Sequence, residues 1–133
     1  MRLSLFACAL ASPALAETPL TAAEFQAHIG QNTIGYEYSN GVRGTADYGP
    51  DHTLLWAFED ETCFAGTWFD RGNEICFAYA DGTLSACWHF FMDGDRLRGT
   101  ATYLSSGSPL DLELFEVAHT DQPLRCAGPD VGV

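Results

Sequence analysis

The sequence predicts an all-β protein: an eight-stranded antiparallel up-and-down barrel with one short N-terminal helix. Between residues 33 and 117 the chain consists of short segments that alternate apolar and polar side chains and are separated by turn residues. From Cys63 to Tyr103 the apolar side chains stay on one face through three tight turns, as a half-buried sheet requires. Strands in sequence order close most simply into a barrel, because closure removes the sheet edges. An open sheet or a two-sheet sandwich is the alternative.

Residues 1–16 (MRLSLFACALASPALA) have the features of a secretory signal peptide, with one Arg, an apolar run and Ala14-Leu15-Ala16 before Glu17. This leaves residues 17–133 as a single barrel domain. A lipoprotein leader ending at Cys8 is the weaker alternative, because the apolar run before it is short. No other segment approaches the roughly 20 apolar residues of a transmembrane helix. The sequence therefore predicts a periplasmic or secreted bacterial protein that does not span a membrane.

A short helix is predicted over residues 22–29, immediately before the strands. The segment Thr21–Glu24 has the sequence of a capping box, which satisfies backbone N–H groups at a helix start. Phe25 and Ile29, four residues apart, form an apolar stripe. We expect this helix to lie over the end or the side of the sheet. His28 is next to the stripe and is expected to be a surface or helix-end residue rather than a ligand.

The first two strands are predicted over residues 33–39 and 42–48. Their apolar faces coincide if Tyr38 lies opposite Gly44. That register requires a loop with an odd number of residues, so we expect a three-residue loop over Asn40–Val42 with a bulge.

The third strand is predicted over residues 53–59 (TLLWAFE), which are apolar on both faces. We therefore expect the helix to cover Trp56 and one of Leu55 or Ala57. The last strand is predicted over Leu110–Val117, where apolar and polar residues alternate again.

The central stretch is predicted to form four strands, and its turns fix how they pair. Asp81-Gly82 and Asp93-Gly94 are two-residue hairpin signals, and Asp70–Asn73 is expected to form a four-residue turn. Large residues then lie beside small ones, as a curved, filled sheet requires. The predicted neighbours are Ile75 with Trp88, Cys76 with Cys87, Phe90 with Leu97, Trp88 with Gly99, Trp68 with Ile75, and Gly66 with Phe77.

Four of the five cysteines follow the predicted signal peptide, and an even number in an exported chain implies two disulfides. The predicted register places Cys76 directly across from Cys87, within bonding distance. That leaves Cys63 to bond Cys126 and to attach an otherwise irregular tail, residues 118–133. The scattered positions and the lack of a CxxC pair disfavour a zinc site, so we expect no metal.

The chain is strongly acidic, with a formal net charge of −12 and no Lys. This charge disfavours nucleic acid and anionic membrane surfaces as partners. Because no catalytic or cofactor motif is present, we expect neither an enzyme nor a bound cofactor. One outer row, Glu74 with His89 and Arg98, has the chemistry of an acid–base set. A solvated row of charges on a convex wall is the simpler interpretation.

Nine aromatic residues are predicted to point into the barrel. They either fill it as a core or line an apolar cup in which hydroxyl and indole groups orient a small ligand. They are Tyr36, Tyr38, Tyr48, Phe64, Trp68, Phe77, Tyr79, Trp88 and Tyr103.

Several of these segments occur together in a way that resembles a known group. A capped helix precedes the strands, followed by Gly66-Thr67-Trp68, Cys76-Phe77, Cys87-Trp88 and Asp93-Gly94-Asp95. This pattern is similar to small exported bacterial β-barrel proteins of unknown function. By architecture alone the chain also resembles lipocalin-like barrels and periplasmic barrel inhibitors of secreted metalloproteases. The resemblance implies a barrel fold and no active site.

We therefore expect a non-enzymatic exported barrel that binds a small apolar or aromatic ligand. The alternative is a protein-interaction or protease-inhibitor-like module of the cell envelope. Such a module would insert Glu17–Leu20 or the turn Gly49–His52 into a partner protein. An enzyme is the least supported reading of this sequence.

Overall fold

The computed structural model describes residues 17–59, 62–80, 82 and 85–126. It contains one helix, α1, and a closed barrel of eight antiparallel strands in sequence order, in which β8 pairs with β1. The predicted fold class is confirmed. The elements are α1 (Ala22–Ile29), β1 (Thr33–Tyr38), β2 (Arg43–Tyr48), β3 (Thr53–Phe58), β4 (Cys63–Arg71), β5 (Glu74–Tyr79), β6 (Ala86–Asp93), β7 (Arg96–Leu104) and β8 (Glu113–Thr120).

The helix has the predicted bounds and closes one end of the barrel. Thr21 accepts a hydrogen bond from the Glu24 N–H at 3.2 Å, and the Glu24 carboxylate accepts one from the Thr21 N–H at 3.0 Å. These two bonds satisfy donors that the first turn of a helix leaves free. Phe25 and Ile29 are fully buried. The helix therefore acts as an apolar plug over the barrel end.

The central hairpin between β5 and β6 has the predicted register. Ile75 lies opposite Trp88, and Cys76 lies opposite Cys87. The Asp81-Gly82 turn lies partly outside the described residues, as does the predicted partner of Tyr79 at Leu84.

At the other two turns of the central stretch, the predicted strand pairing was wrong by two residues. Asp93 pairs with Arg96, so the loop is Gly94-Asp95, and the four-residue turn is a two-residue Gly72-Asn73 loop. Each loop has its glycine first with positive φ, which is typical of a type II′ turn. A two-residue shift keeps every side chain on its predicted face. The corrected neighbours are Met92 with Leu97, Phe90 with Gly99, Trp88 with Ala101, Trp68 with Phe77, and Gly66 with Tyr79.

The same two-residue shift occurs between β1 and β2. Tyr36, rather than Tyr38, lies opposite Gly44. The Tyr38 N–H donates to the Val42 carbonyl at 2.8 Å, so the loop has three residues, Ser39–Gly41. Gly41 closes it with a φ of 88°, as in the bulged three-residue loops of hairpins. The expected loop type is present one residue earlier than predicted.

The last strand begins and ends three residues later than predicted. Leu110 is 52% exposed and precedes β8, whereas His119 pairs with Ile34 inside the ladder. The tail beyond Thr120 is held by the Cys63–Cys126 disulfide and by a hydrogen bond of 3.1 Å from the Leu124 N–H to Asp47.

The outer side of β3 is covered differently from the prediction. Ala57 is buried and shares a groove with Leu124 of the tail, whereas Trp56 lies inside the barrel. Phe25 of the helix contacts the rings of other strands. The tail, rather than the helix, therefore lies beside this face.

Both predicted disulfides are present, Cys63–Cys126 and Cys76–Cys87. Such bonds persist in oxidising environments outside the cytosol. The predicted signal peptide, residues 1–16, lies outside the described residues, as do residues 127–133. In the described part of the chain, no helix has the length and apolarity needed to cross a bilayer.

Candidate ligand-binding site

A cavity of about 220 Å³ lies inside the barrel and opens at the end opposite the helix. None of the described residues that line it carries a charge. Nine of its 19 described lining residues are aromatic, and they lie on β1, β2, β3, β5 and β6. Six of the nine aromatic residues predicted to line a cup are in this wall, namely Tyr36, Tyr38, Tyr48, Phe77, Tyr79 and Trp88.

The floor of the cavity rests on the helix. The Phe25 ring packs edge-on against Tyr48 and Phe77, with centroid distances of 6.0 Å and 6.4 Å, and at 4.8 Å against Phe90. All three partners also line the cavity. Removing the helix would therefore open the floor.

The mouth of the cavity is polar and is formed by loops. Asn40 and Val42 line it from the β1–β2 loop, and Ser105, Ser106 and Ser108 line it from the β7–β8 loop. The Ser106 and Ser108 hydroxyls lie 2.9 Å apart, which shapes this second loop. The sequence prediction missed these rim residues, although a Ser-rich run between two strands marks a loop.

Two tyrosine hydroxyls meet inside the barrel. The Tyr36 and Tyr48 oxygens are 2.9 Å apart, and both side chains are almost completely buried. Burial raises the pKa of each phenol far above its ordinary value, because a phenolate would lose its hydration. Burial also raises the pKa of Tyr38 and of Tyr79. The cavity therefore presents neutral phenols, which are hydrogen-bond donors.

Three of the nine predicted aromatic residues do not line the cavity. Trp68 is buried at the helix end, where it stacks on His52 at 3.7 Å between centroids and meets Phe25 at 5.2 Å. Phe64 is half-buried and packs against Phe58 at 6.5 Å. Neither residue reaches the open volume.

Tyr103 was predicted to point inward and is 48% exposed instead. Trp88 pairs with Ala101, but the residue before it, Cys87, pairs with Tyr103. β7 therefore contains an extra residue at this point. A bulge of this kind reverses which side chains face the core. Leu104 takes the inward position and lines the cavity.

The predicted outer row of Glu74, His89 and Arg98 loses Arg98, whereas the confirmed register of β5 and β6 keeps Glu74 beside His89. Because β7 is shifted by two residues, His89 faces Thr100, and Arg98 faces Phe91. Arg98 lies over the Phe91 ring at 4.7 Å and pairs with Asp93 and Glu17 at 3.0 Å and 2.6 Å. Glu74 pairs instead with Arg71 at 3.0 Å. Apart from the contact with the Phe91 ring, these are ordinary surface ion pairs.

A second polar cluster lies at the helix end of the barrel, and the sequence prediction missed it. His28 of the helix and His119 of β8 both contact the buried carboxylate of Glu116. The available signal was Glu116 itself, which continues the alternating apolar positions of the last strand. His52, between β2 and β3, stacks on the Trp68 ring, and its Nδ1 lies 3.1 Å from the Trp68 carbonyl oxygen.

Comparison of the chain with protein-family models, with curated proteins and with solved structures finds no match. The side chains that line the cavity are therefore the basis for assigning its ligand class.

Proposed function

We propose that this protein is a non-enzymatic exported barrel that binds one small, uncharged, aromatic or apolar molecule in its cavity. The ligand carries a hydrogen-bond acceptor, such as a carbonyl oxygen. Placement outside the cytoplasm is part of the proposal and is supported by the two disulfides, which suit an oxidising compartment. The resemblance to small exported bacterial barrels is consistent with this placement, and membership in that group stays a prediction.

The observation that carries the proposal is the buried tyrosine pair. Two hydroxyls carry two O–H hydrogens, but the contact between Tyr36 and Tyr48 uses only one of them. In the described part of the chain, neither hydroxyl has another hydrogen-bonding partner. A buried donor without an acceptor costs about 1–3 kcal/mol. Since both residues line the cavity, an acceptor on a bound molecule would remove that cost.

The size and lining of the cavity restrict the ligand further. An apolar cavity of about 150 Å³ is large enough to hold benzene, so about 220 Å³ accommodates one substituted ring. A charged ligand would lose its hydration without gaining a counter-charge, because the described lining residues carry none. A neutral aromatic ketone or aldehyde fits each of these conditions.

The contacts of the N-terminal segment disfavour the inhibitor-like alternative. The Leu20 N–H donates to the Phe90 carbonyl at 2.7 Å, and the Glu17 carboxylate pairs with Arg98 at 2.6 Å. The segment Glu17–Leu20 therefore lies against its own barrel. It would have to be released before it entered a partner protein.

The proposal is tested with acetophenone and α-methylstyrene, which have nearly the same shape but differ in having C=O or C=CH₂. Binding is measured by isothermal titration calorimetry on the oxidised protein. We expect acetophenone to bind about tenfold more tightly, the value of one hydrogen bond of about 1.4 kcal/mol. Absence of binding, or equal affinity for both compounds, would contradict the proposal.

Tyrosine variants test whether the Tyr36–Tyr48 pair supplies the hydrogen bond to the ligand. Tyr36→Phe or Tyr48→Phe alone leaves one free hydroxyl, so the preference for acetophenone should persist. The double variant removes both donors, and the preference should disappear while α-methylstyrene still binds. Tyr103→Phe, which removes an exposed phenol outside the cavity, is the matched control and should behave as the unmodified protein. A preference that survives in the double variant would show that the tyrosine pair is not the donor.

A further inference from the structure

We propose that His28, Glu116 and His119 form a binding site for a divalent transition-metal ion of the zinc type at the helix end of the barrel. His28 Nε2 lies 2.9 Å and 3.0 Å from the two Glu116 carboxylate oxygens. His119 Nδ1 lies 3.1 Å from Oε1 of the same carboxylate. One ligand atom from each residue falls within 4.8 Å of the others.

The fold brings the three residues together by a β-bulge. Glu116 and His119 are three residues apart, so in a regular strand they would point to opposite faces. The pairing of β1 with β8 shifts between Gly35 and Tyr36, and Tyr36 pairs with Glu116 while Ile34 pairs with His119. The extra residue places Glu116 and His119 on the same side, as bulges beside functional sites often do.

The other contacts hold the carboxylate in a fixed orientation. The Leu97 N–H donates to Glu116 Oε2 at 2.9 Å. Such a second contact to a ligating carboxylate is typical of metal sites, because it orients the ligand before the ion binds. Glu116 is 3% exposed in its side chain, whereas His119 is 37% exposed. The cluster therefore has a buried, oriented anion and an approach from solvent on the His119 side.

The donor set matches zinc-type ions. Two imidazole nitrogens and one carboxylate oxygen are the three protein ligands of many zinc sites that keep a position open. Ligand atoms about 2.0–2.1 Å from a tetrahedral ion are about 3.3 Å apart. The two histidine contacts to Glu116 Oε1, at 2.9 Å and 3.1 Å, are within a few tenths of an ångström of that spacing, and all three ligand atoms lie within 4.8 Å of one another. Magnesium prefers an octahedral set of oxygen atoms and is not suited to this site.

The competing explanation is a hydrogen-bonded network without a metal, in which both imidazoles donate to the buried carboxylate. The two explanations differ in what added zinc does. If the cluster is only a hydrogen-bonded network, added zinc does not stabilise the protein. If it is a metal site, it binds one ion, and the bound ion stabilises the folded protein against unfolding.

The test is titration of the metal-free, oxidised full chain with Zn²⁺, followed by calorimetry and thermal unfolding. We expect one Zn²⁺ per chain, a rise in melting temperature, and no response to Mg²⁺. Co²⁺ should give the intense visible absorption of a four- or five-coordinate ion. The absence of saturable zinc binding would overturn the proposal.

Variants separate this site from incidental surface binding. His119→Ala should weaken zinc binding by roughly tenfold or more, and its exposed position makes loss of the fold an improbable cause. Glu116→Gln keeps an acceptor for the Leu97 N–H but removes the charged ligand, so it should also weaken binding. His89→Ala, on the barrel wall outside the cluster, is the matched control and should bind as the unmodified protein. Undiminished zinc binding in His119→Ala, or an equal loss in His89→Ala, would refute the assignment.

Discussion

Gly44 lies directly against the indole of Trp56 on the neighbouring strand. A Cβ atom on Gly44 would be 2.1 Å from Cζ2 and 2.5 Å from Cη2 of that ring. Trp56 is in turn packed between aromatic neighbours, at 6.1 Å from Tyr36 and 5.5 Å from Phe58 between centroids. The absence of a side chain at residue 44 therefore lets the largest ring of β3 lie flat inside the barrel.

We predict that Gly44→Ala lowers the free energy of unfolding by roughly 1–3 kcal/mol, because the Trp56 ring has to move within a packed core. Urea denaturation measures this change. Trp56→Phe replaces the indole whose atoms would clash with a smaller ring, so the two substitutions together should cost clearly less than the sum of their separate effects. If the free-energy changes of the two substitutions are simply additive, the close contact between Gly44 and Trp56 is contradicted.

Phe25 should be the most important residue of the helix. Phe25→Ala removes a fully buried ring that contacts four other aromatic residues and should lower the free energy of unfolding by about 3–5 kcal/mol. Thr21→Ala weakens the same helix at its capping box without touching the plug, and should cost only about 1 kcal/mol. Chemical denaturation compares the two variants; similar losses would show that the plug contributes little.

The two disulfides should contribute unequally to stability. Cys63–Cys126 links residues 63 apart in sequence, and Cys76–Cys87 links residues 11 apart. Restriction of the unfolded chain predicts about 4 kcal/mol for the longer loop and about 3 kcal/mol for the shorter. Paired Cys→Ala variants, compared by guanidinium denaturation, measure both values. A larger loss from the Cys76–Cys87 pair would contradict this order.

Stability should fall steeply at alkaline pH. Burial raises the pKa of Tyr36, Tyr38, Tyr48 and Tyr79 in the folded protein, whereas the unfolded chain has ordinary phenols with a pKa of about 10. Their contribution is fully present below about pH 10 and is lost as the pH rises toward the folded values, because the unfolded state releases protons first. Each buried tyrosine should add up to about 1.4 kcal/mol per pH unit to the loss.

Phenolate absorbance, followed together with circular dichroism, measures this behaviour. The four phenols, of which Tyr36 and Tyr48 are buried and Tyr38 and Tyr79 half-buried, should ionise in one step, when the barrel unfolds. Tyr36→Phe should make the pH dependence of unfolding less steep. Gradual ionisation of these phenols in a barrel that keeps its circular dichroism would contradict the predicted burial.

The sequence was sufficient for the fold class, for the helix and for both disulfides, since each depends on which face a side chain occupies. Alternation assigns faces but not absolute register, because a shift of two residues leaves every face unchanged. The pairings of Trp88 with β7 and of Gly66 with β5 were therefore wrong by two residues, although their inward positions were right. The Cys76–Cys87 pair was correct because its own hairpin has the predicted register.

The bulges could not be predicted in the same way. An inserted residue depends on how neighbouring strands curve to close the barrel, and no local sequence signal marks it here. One bulge turns Tyr103 outward and Leu104 inward, and another aligns His119 with Glu116. Part of what the sequence prediction missed at each candidate site therefore lies at these two positions.

Because Phe25 and Ile29 seal the helix end, the cavity opening in the described part of the chain lies at the other end of the barrel, beside the loop serines. A substitution there that only narrows the passage slows capture and escape by the same factor, so residence time lengthens while Kd stays constant. If the proposed ligand enters at this opening, its exchange kinetics depend on rim residues such as Ser106 and Ser108, whereas its affinity depends on the tyrosines beneath them.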